Sequence, residues 1–146
     1  MSTSETTAGR PSPVPDRISR PFWDACAEGR LTAQRCLDCG RLQWPPGPVC
    51  PACQSWAAEW EDLSPTGTVV SFVVVRRTFH PAFEAPYVIG HVEVDGTGGR
   101  VVLISNIDGA DPDEVRVGMP VSVHWQARTG ATVPLFRLLT PQGGAR

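Results

Sequence analysis

Four of the five cysteines stand as Cys36-Leu37-Asp38-Cys39 and Cys50-Pro51-Ala52-Cys53, a C-x2-C-x10-C-x2-C array. Each pair can close a knuckle that turns two thiolates toward one ion, and four thiolates complete a tetrahedral shell. With every position taken by sulfur, such a centre organises structure and leaves no place for an activated water. Gly40 follows the first knuckle, where a positive φ lets amide N–H groups turn toward sulfur, and Gln54 takes the equivalent place in the second. Arg35 and Arg41 flank the first pair and would offset the excess negative charge of four thiolates around a divalent ion. Zinc is the expected metal, one per chain and structural; iron in a rubredoxin-like electron carrier uses the same geometry, and spacing does not separate the two. Neither C-x-x-C lies between a strand and a long helix, as a thioredoxin-like redox motif requires. The fifth cysteine, Cys26, falls on the apolar face of a short helix and reads as a small buried hydrophobe rather than a nucleophile.

A second group of chemically capable residues is the stretch Arg76-Arg77-Thr78-Phe79-His80-Pro81-Ala82-Phe83-Glu84-Ala85-Pro86-Tyr87. Two arginines beside two phenylalanines suit a phosphate and a flat ring, but they suit a partner-protein surface or plain loop packing as well. His91 and His124 sit in strands, at positions that alternate with the core, and point to solvated or interface roles more than to general-base work. All 13 basic residues are arginines. Without lysine the chain cannot form a Schiff base, complete a Walker A loop or supply a lysine base. No paired nucleophile and base can be read, so a self-sufficient enzyme is not expected. Thirteen basic against 15 acidic residues leave a net charge of −2, and no field covers the surface that would gather nucleic acid or anionic lipid.

These groups must be held by a chain of 146 residues with 41% apolar content, enough for one ordinary domain or two very small ones. Residues 1–17, rich in Ser, Thr, Pro and Gly, read as a disordered tail, and 141–146 as a flexible C-terminus. Residues 18–63 read as an N-terminal helix and zinc ribbon. Ser19 is the expected cap of a helix from Arg20 to Glu28, and Gly29 its left-handed stop. Phe22 and Cys26 share one face, widened by Trp23 and Ala27. Residues 64–140 carry five short apolar runs, 67–77, 87–94, 100–106, 121–126 and 133–139, separated by turn residues. The expected class is mainly β: a short helix, a rubredoxin-like zinc ribbon, then a five-stranded antiparallel OB-fold barrel. Asp111-Pro112-Asp113-Glu114 has the grammar of a one-turn helix start that would plug a barrel end. The first barrel strand is apolar on both faces, so its outer side also needs cover. Neither an export signal nor a membrane-length apolar run is read, and a cytoplasmic protein without membrane contact is expected.

In one order the chain carries Pro21-Phe22-Trp23-Asp24, Leu31, Arg35 through Gly40, Pro45-Pro46, Cys50 through Cys53, Gly67-Thr68-Val69, His80-Pro81-Ala82-Phe83 and Gly118-Met119-Pro120-Val121. That series resembles the zinc-ribbon/OB-fold family of acyl-CoA-associated proteins, domain of unknown function thirty-five, over about residues 18–139. The resemblance implies a non-catalytic companion of enzymes that handle acyl-CoA thioesters. Such companions pair with thiolase-like thiolases or retro-aldolases, including those of steroid side-chain and lipid breakdown, and help bring acyl-CoA to them. The alternative partner class is the hot-dog-fold enoyl-CoA hydratases. A hetero-oligomer is implied, two plus two by analogy with dimeric thiolase-like enzymes. Phe22 and Trp23 match the family's N-terminal helix, and Arg76, Arg77, Phe79, His80, Phe83 and Tyr87 its loop after the first barrel strand, as partner or ligand surface. A nucleic-acid-binding OB barrel is the further alternative; its footprint is thin, because aromatic and basic residues are not interleaved on the strands.

Overall fold

The computed structural model describes residues 9–139, so residues 1–8 of the expected tail and the expected flexible C-terminus lie outside the described residues. Helix α1 spans Arg20–Ala27. Its buried face is Phe22, Ala25 and Cys26, an i, i+3, i+4 stripe. Ala25, not Ala27, therefore completes the face. The cap also differs from expectation, because the Ser19 side chain bonds no helix N–H. Asp16 Oδ1 instead accepts from Ser19 N at 2.7 Å while Ser19 Oγ accepts from Asp16 N at 3.1 Å. The hydrogen bond from the Ser19 N–H stabilises the charged form of Asp16 and lowers its pKa. Gly29 ends the helix at φ +78°, as a residue without Cβ allows.

The ribbon is a three-stranded antiparallel sheet ordered β2-β1-β3, with β1 Thr32–Cys36, β2 Leu42–Gln43 and β3 Ala58–Asp62. The first knuckle is the β1–β2 turn, and the second lies in the long connection from β2 to β3. Arg35 on β1 reaches across to Glu61 on β3, with Arg35 Nη2 donating to Oε2 at 2.8 Å.

Five further strands form a closed barrel: β4 Thr66–Val75, β5 Tyr87–Val94, β6 Val102–Asp108, β7 Pro120–Arg128 and β8 Ala131–Leu138, in the order β4-β5-β6-β8-β7. One pair departs from the antiparallel pattern: β6 and β8 run parallel, Ile107 opposite Phe136. A ring of five strands cannot alternate direction all the way round, so closure requires one parallel pair. A register shift between Val69 and Ser71 on β4 changes which side chains face inward. Val69 is fully buried, and beyond the shift Phe72 and Val74 pack on the core, while Val70 and Val73 are 39% and 59% exposed. The bulge thus leaves much of the outer face of β4 open. Gly90 on β5 makes room for Ile107, whose Cδ1 would lie 2.6 Å from any Cβ there. Between β6 and β7 a single helical turn, Pro112–Glu114, is capped by Asp111, whose carboxylate accepts from Asp113 N at 2.9 Å. Val115 follows it fully buried.

The core runs continuously from ribbon to barrel, joining Phe22, Leu31, Ala33 and Leu42 to Val88, Val92, Leu103 and Phe136. Residues before α1 also join the barrel, since Arg128 Nη1 donates to Pro11 O at 2.9 Å and Arg10 Nε to Ala82 O at 3.3 Å. Among the described residues no helix is long and apolar enough to cross a membrane.

Candidate functional site

The four knuckle cysteines converge, with every Sγ within 4.8 Å of the others. Cys36 and Cys53 Sγ are 3.5 Å apart, and Cys39 and Cys50 Sγ 3.7 Å. Thiolates about 2.3 Å from a tetrahedral zinc ion lie about 3.8 Å from one another, so the donor set and its spacing fit one such ion. The backbone prepares these sulfurs for charge. Cys39 N lies 3.5 Å from Cys36 Sγ and Ala52 N 3.4 Å from Cys50 Sγ. The Cys39 N–H is the main cause that brings the Cys36 thiol down to about 6, and the Cys53 and Ala52 N–H groups lower Cys50. Gly40 and Gln54 hold matching places, φ +80° and +66°, each donating its N–H to the carbonyl of the first cysteine of its knuckle. Gln54 therefore adopts the turn without glycine's freedom. Arg35, expected to offset the charge of the centre, is committed to Glu61 and to the Gly40 carbonyl. Cys26 is apart from the centre, 1% exposed, and burial pushes its thiol up to about 12, which leaves it protonated and unreactive.

The aromatic candidates divide into two clusters. Phe22 is 3% exposed; its ring lies 4.9 Å from Trp23 and 4.6 Å from Trp44, centroid to centroid. The expectation that Phe22 offers a partner surface is thus corrected, because Trp44 and the barrel core already cover it. Trp23 is half-buried and keeps one side in a groove.

In the loop from β4 to β5, Phe83 is the centre. Tyr87 lies 5.8 Å and His80 5.9 Å from its ring. His80 Nδ1 accepts from Ala82 N at 3.0 Å, which shapes the loop. Two residues that sequence reasoning missed complete the cluster: the guanidinium carbons of Arg10 and Arg128 stand 4.7 Å and 5.9 Å from the Phe83 centroid. Both donate to Gln126 Oε1, at 3.3 and 2.8 Å. Burial, then the neighbouring Arg10 charge, lowers the pKa of Arg128. No local pattern announced this pairing, since Arg10 lies in a segment without periodicity and Arg128 at a hairpin turn. Arg76 leaves the cluster for Asp113, 2.8 Å away. Arg77 stands 5.5 Å from the ring of Phe79, which is 72% exposed.

Comparison with known proteins gives the same two units. The model of the ChsH2 rubredoxin-like zinc ribbon domain matches residues 23–60, and that of the ChsH2 C-terminal OB-fold domain residues 60–126. The chain is 40% identical over 135 residues to a probable enoyl-CoA hydratase alpha subunit of Thermomonospora curvata, covering 91% of this chain and 41% of that protein. It is 36% identical over 127 residues to the 3-oxo-4,17-pregnadiene-20-carboxyl-CoA hydratase alpha subunit of Mycobacterium tuberculosis, covering 78% of this chain and 40% of that one. The chain thus spans about two fifths of the length of these two relatives. A DUF35 domain-containing scaffold protein of Pyrococcus furiosus is 33% identical over 112 residues, 75% of this chain and 78% of that protein. Among solved structures, a chain of the Ltp2-ChsH2(DUF35) aldolase superposes with a TM-score of 0.79 at 37% identity, covering 87% of this chain and 98% of that one. A DUF35-family protein from Sulfolobus solfataricus shares the fold, with a TM-score of 0.60 at 15% identity over 82% of this chain and 84% of that one. With its four-cysteine ribbon set before an OB barrel, this chain belongs to the DUF35 family in its ChsH2 form.

Proposed function

We propose that this chain is a non-catalytic subunit of an acyl-CoA-processing enzyme, a thiolase-like retro-aldolase or thiolase of steroid side-chain or lipid breakdown. The observation that carries this reading is the likeness to the DUF35 chain of an aldolase, which this chain covers over 98% of its length at 37% identity. The chemistry of the chain agrees with it. The cysteine centre has four sulfur donors and no open position, which suits a structural ion. The buried Cys26 thiol and the surface histidines are not arranged as nucleophile and base. In this reading the zinc holds the ribbon, and the ribbon and barrel offer the partner enzyme a surface. That surface includes the exposed Phe79 with Arg77 and His80, beside the open outer face of β4 at Val70 and Val73. The complex works in the cytoplasm, and the chain helps bring acyl-CoA to its partner.

A second reading, partner of an enoyl-CoA hydratase, is favoured by the two hydratase alpha subunits among the relatives. One experiment separates the two. A tagged copy is purified from its native host and its companions are identified by mass spectrometry. A thiolase-like protein in near-equal amount supports the first reading, and a hydratase-like protein supports the second. Recovery of nucleic acid, or of the chain alone, overturns both.

A further inference from the structure

Beside α1 the seam that closes the barrel is short: β6 and β8 pair at Ile107 and Asp108, and the earlier parts of both strands border a groove of about 620 Å3. Its walls are aromatic and aliphatic, among them Trp23, Trp44, Ile104 and Pro134. The two charged residues in the lining are Arg100 and Arg128, and no acidic residue lines it. A smaller hollow of about 240 Å3, lined by Phe83, Tyr87 and Ile89, shares Ile104, Ser105 and Asn106 with it. The groove therefore continues to the ring on which Arg10 and Arg128 stack.

The arginine pair lacks a direct ion pair: Asp108 acts on Arg128 only from beyond salt-bridge distance, and Asp108 and Glu84 border the hollow that Arg10 lines. Two guanidinium groups share one neutral acceptor, Gln126 Oε1. Among the described residues no carboxylate lies within salt-bridge distance of Arg10, Arg100 or Arg128; the ion pairs involve Arg30, Arg35 and Arg76. Neither Arg10 Nη2 nor Arg128 Nη2 has an acceptor among the described residues. Two cations held together on a partly desolvated aromatic surface repel each other, and an anion in the groove beside Arg128 lessens that repulsion and takes its spare N–H donor. The apolar walls beside them select what such an anion is attached to.

We propose that this groove is a binding site for a small organic acid with a flat apolar body, the body against Trp23, Trp44 and Ile104 and the acid group on Arg128. The site belongs to this chain alone and does not depend on which enzyme the chain accompanies.

The test uses the full zinc-loaded chain, titrated calorimetrically with naphthalene-2-carboxylate and with its neutral isostere naphthalene-2-carboxamide. One carboxylate binds per chain, about tenfold tighter than the carboxamide, as a charge-assisted hydrogen-bonded contact implies. Arg128→Gln removes that preference and leaves carboxamide binding in place. Ile104→Glu, at a 71% exposed position that threatens no core contact, sets a carboxylate in the groove and abolishes binding of the acid whether or not the arginine variant folds. Equal affinities for acid and amide, or acid binding unchanged in Ile104→Glu, overturn the proposal and mark the groove as plain apolar surface. Loss of this site would leave the enzyme-subunit reading untouched, because that reading is judged by the proteins recovered with the chain.

Discussion

The ring of Phe22 on α1 lies 4.6 Å from that of Trp44, tilted by 53°, and this contact ties the helix before the ribbon to the loop between its two knuckles. Phe22 is 3% exposed and belongs to the core shared with the barrel. Phe22→Ala empties that junction and lowers the free energy of unfolding by about 3–5 kcal/mol. The midpoint and slope of urea denaturation measure it. A loss under about 1 kcal/mol would mean that helix, ribbon and barrel are not joined through this ring.

The metal centre has a pH signature. Hydrogen bonding from the Cys39 N–H takes the Cys36 thiol from 9.0 to about 6. A group with a lowered pKa in the folded state binds fewer protons there than in the unfolded chain. Stability therefore rises with pH across the interval between the two values and is lost as pH falls through about 6. One zinc per chain is retained at pH 7.5 and released on acidification, as protons compete with the metal for the thiolates, read by metal analysis after gel filtration at each pH. Release already complete at pH 7.5 contradicts this. Cys36→Ser abolishes stoichiometric zinc at every pH, and Cys26→Ser retains it.

Burial predicts which thiol resists modification. With its pKa pushed up to about 12 by desolvation, Cys26 carries almost no thiolate at pH 8. Iodoacetamide added with a chelator alkylates Cys36 and Cys50, whose thiols are lowered, before Cys26, which reacts only after unfolding. Peptide mapping distinguishes the order, and early labelling of Cys26 would contradict its place in the core.

Two glycines matter for different reasons, and their alanine variants separate them. A Cβ on Gly40 meets nothing within 4 Å, but its φ is +80°, so Gly40→Ala costs the conformational penalty alone, about 1–2 kcal/mol. A Cβ on Gly67 would stand 2.6 Å from the Glu93 carbonyl oxygen, which is backbone of the paired strand β5. Gly67→Ala must push the strands apart and is the more damaging of the two in thermal denaturation. The reverse order would contradict the close approach of β4 and β5.

The barrel was legible because its strands are apolar runs, rich in β-branched residues in β4 and β5, set between turns of Gly, Pro and Asp, and the knuckles because ligand spacing is a covalent fact. The missed features are those that no local pattern encodes. Val73, which alternation from the buried Val69 would turn inward, points outward because of a register shift between Val69 and Ser71. The parallel β6–β8 pair follows from closing an odd ring, not from either strand's composition. The strands of the ribbon are as short as Leu42–Gln43, below the length at which a period can be counted. Arg10 and Arg128 meet on Phe83 from opposite ends of the described chain, and tertiary structure alone brings them together. Phe22 was legible as part of an apolar face, but Trp44, which covers it, stands in a proline-rich stretch without helical or strand periodicity.

The proposed role, a chain that does no chemistry itself and completes an acyl-CoA enzyme, is tested most directly by mixing the purified chain with the enzyme recovered alongside it and following acyl-CoA turnover as the ratio rises. That role predicts no turnover by the chain alone and an enzyme activity that rises with added chain and saturates at one chain per enzyme subunit. Turnover by the chain alone, or an enzyme equally active without it, would rule it out.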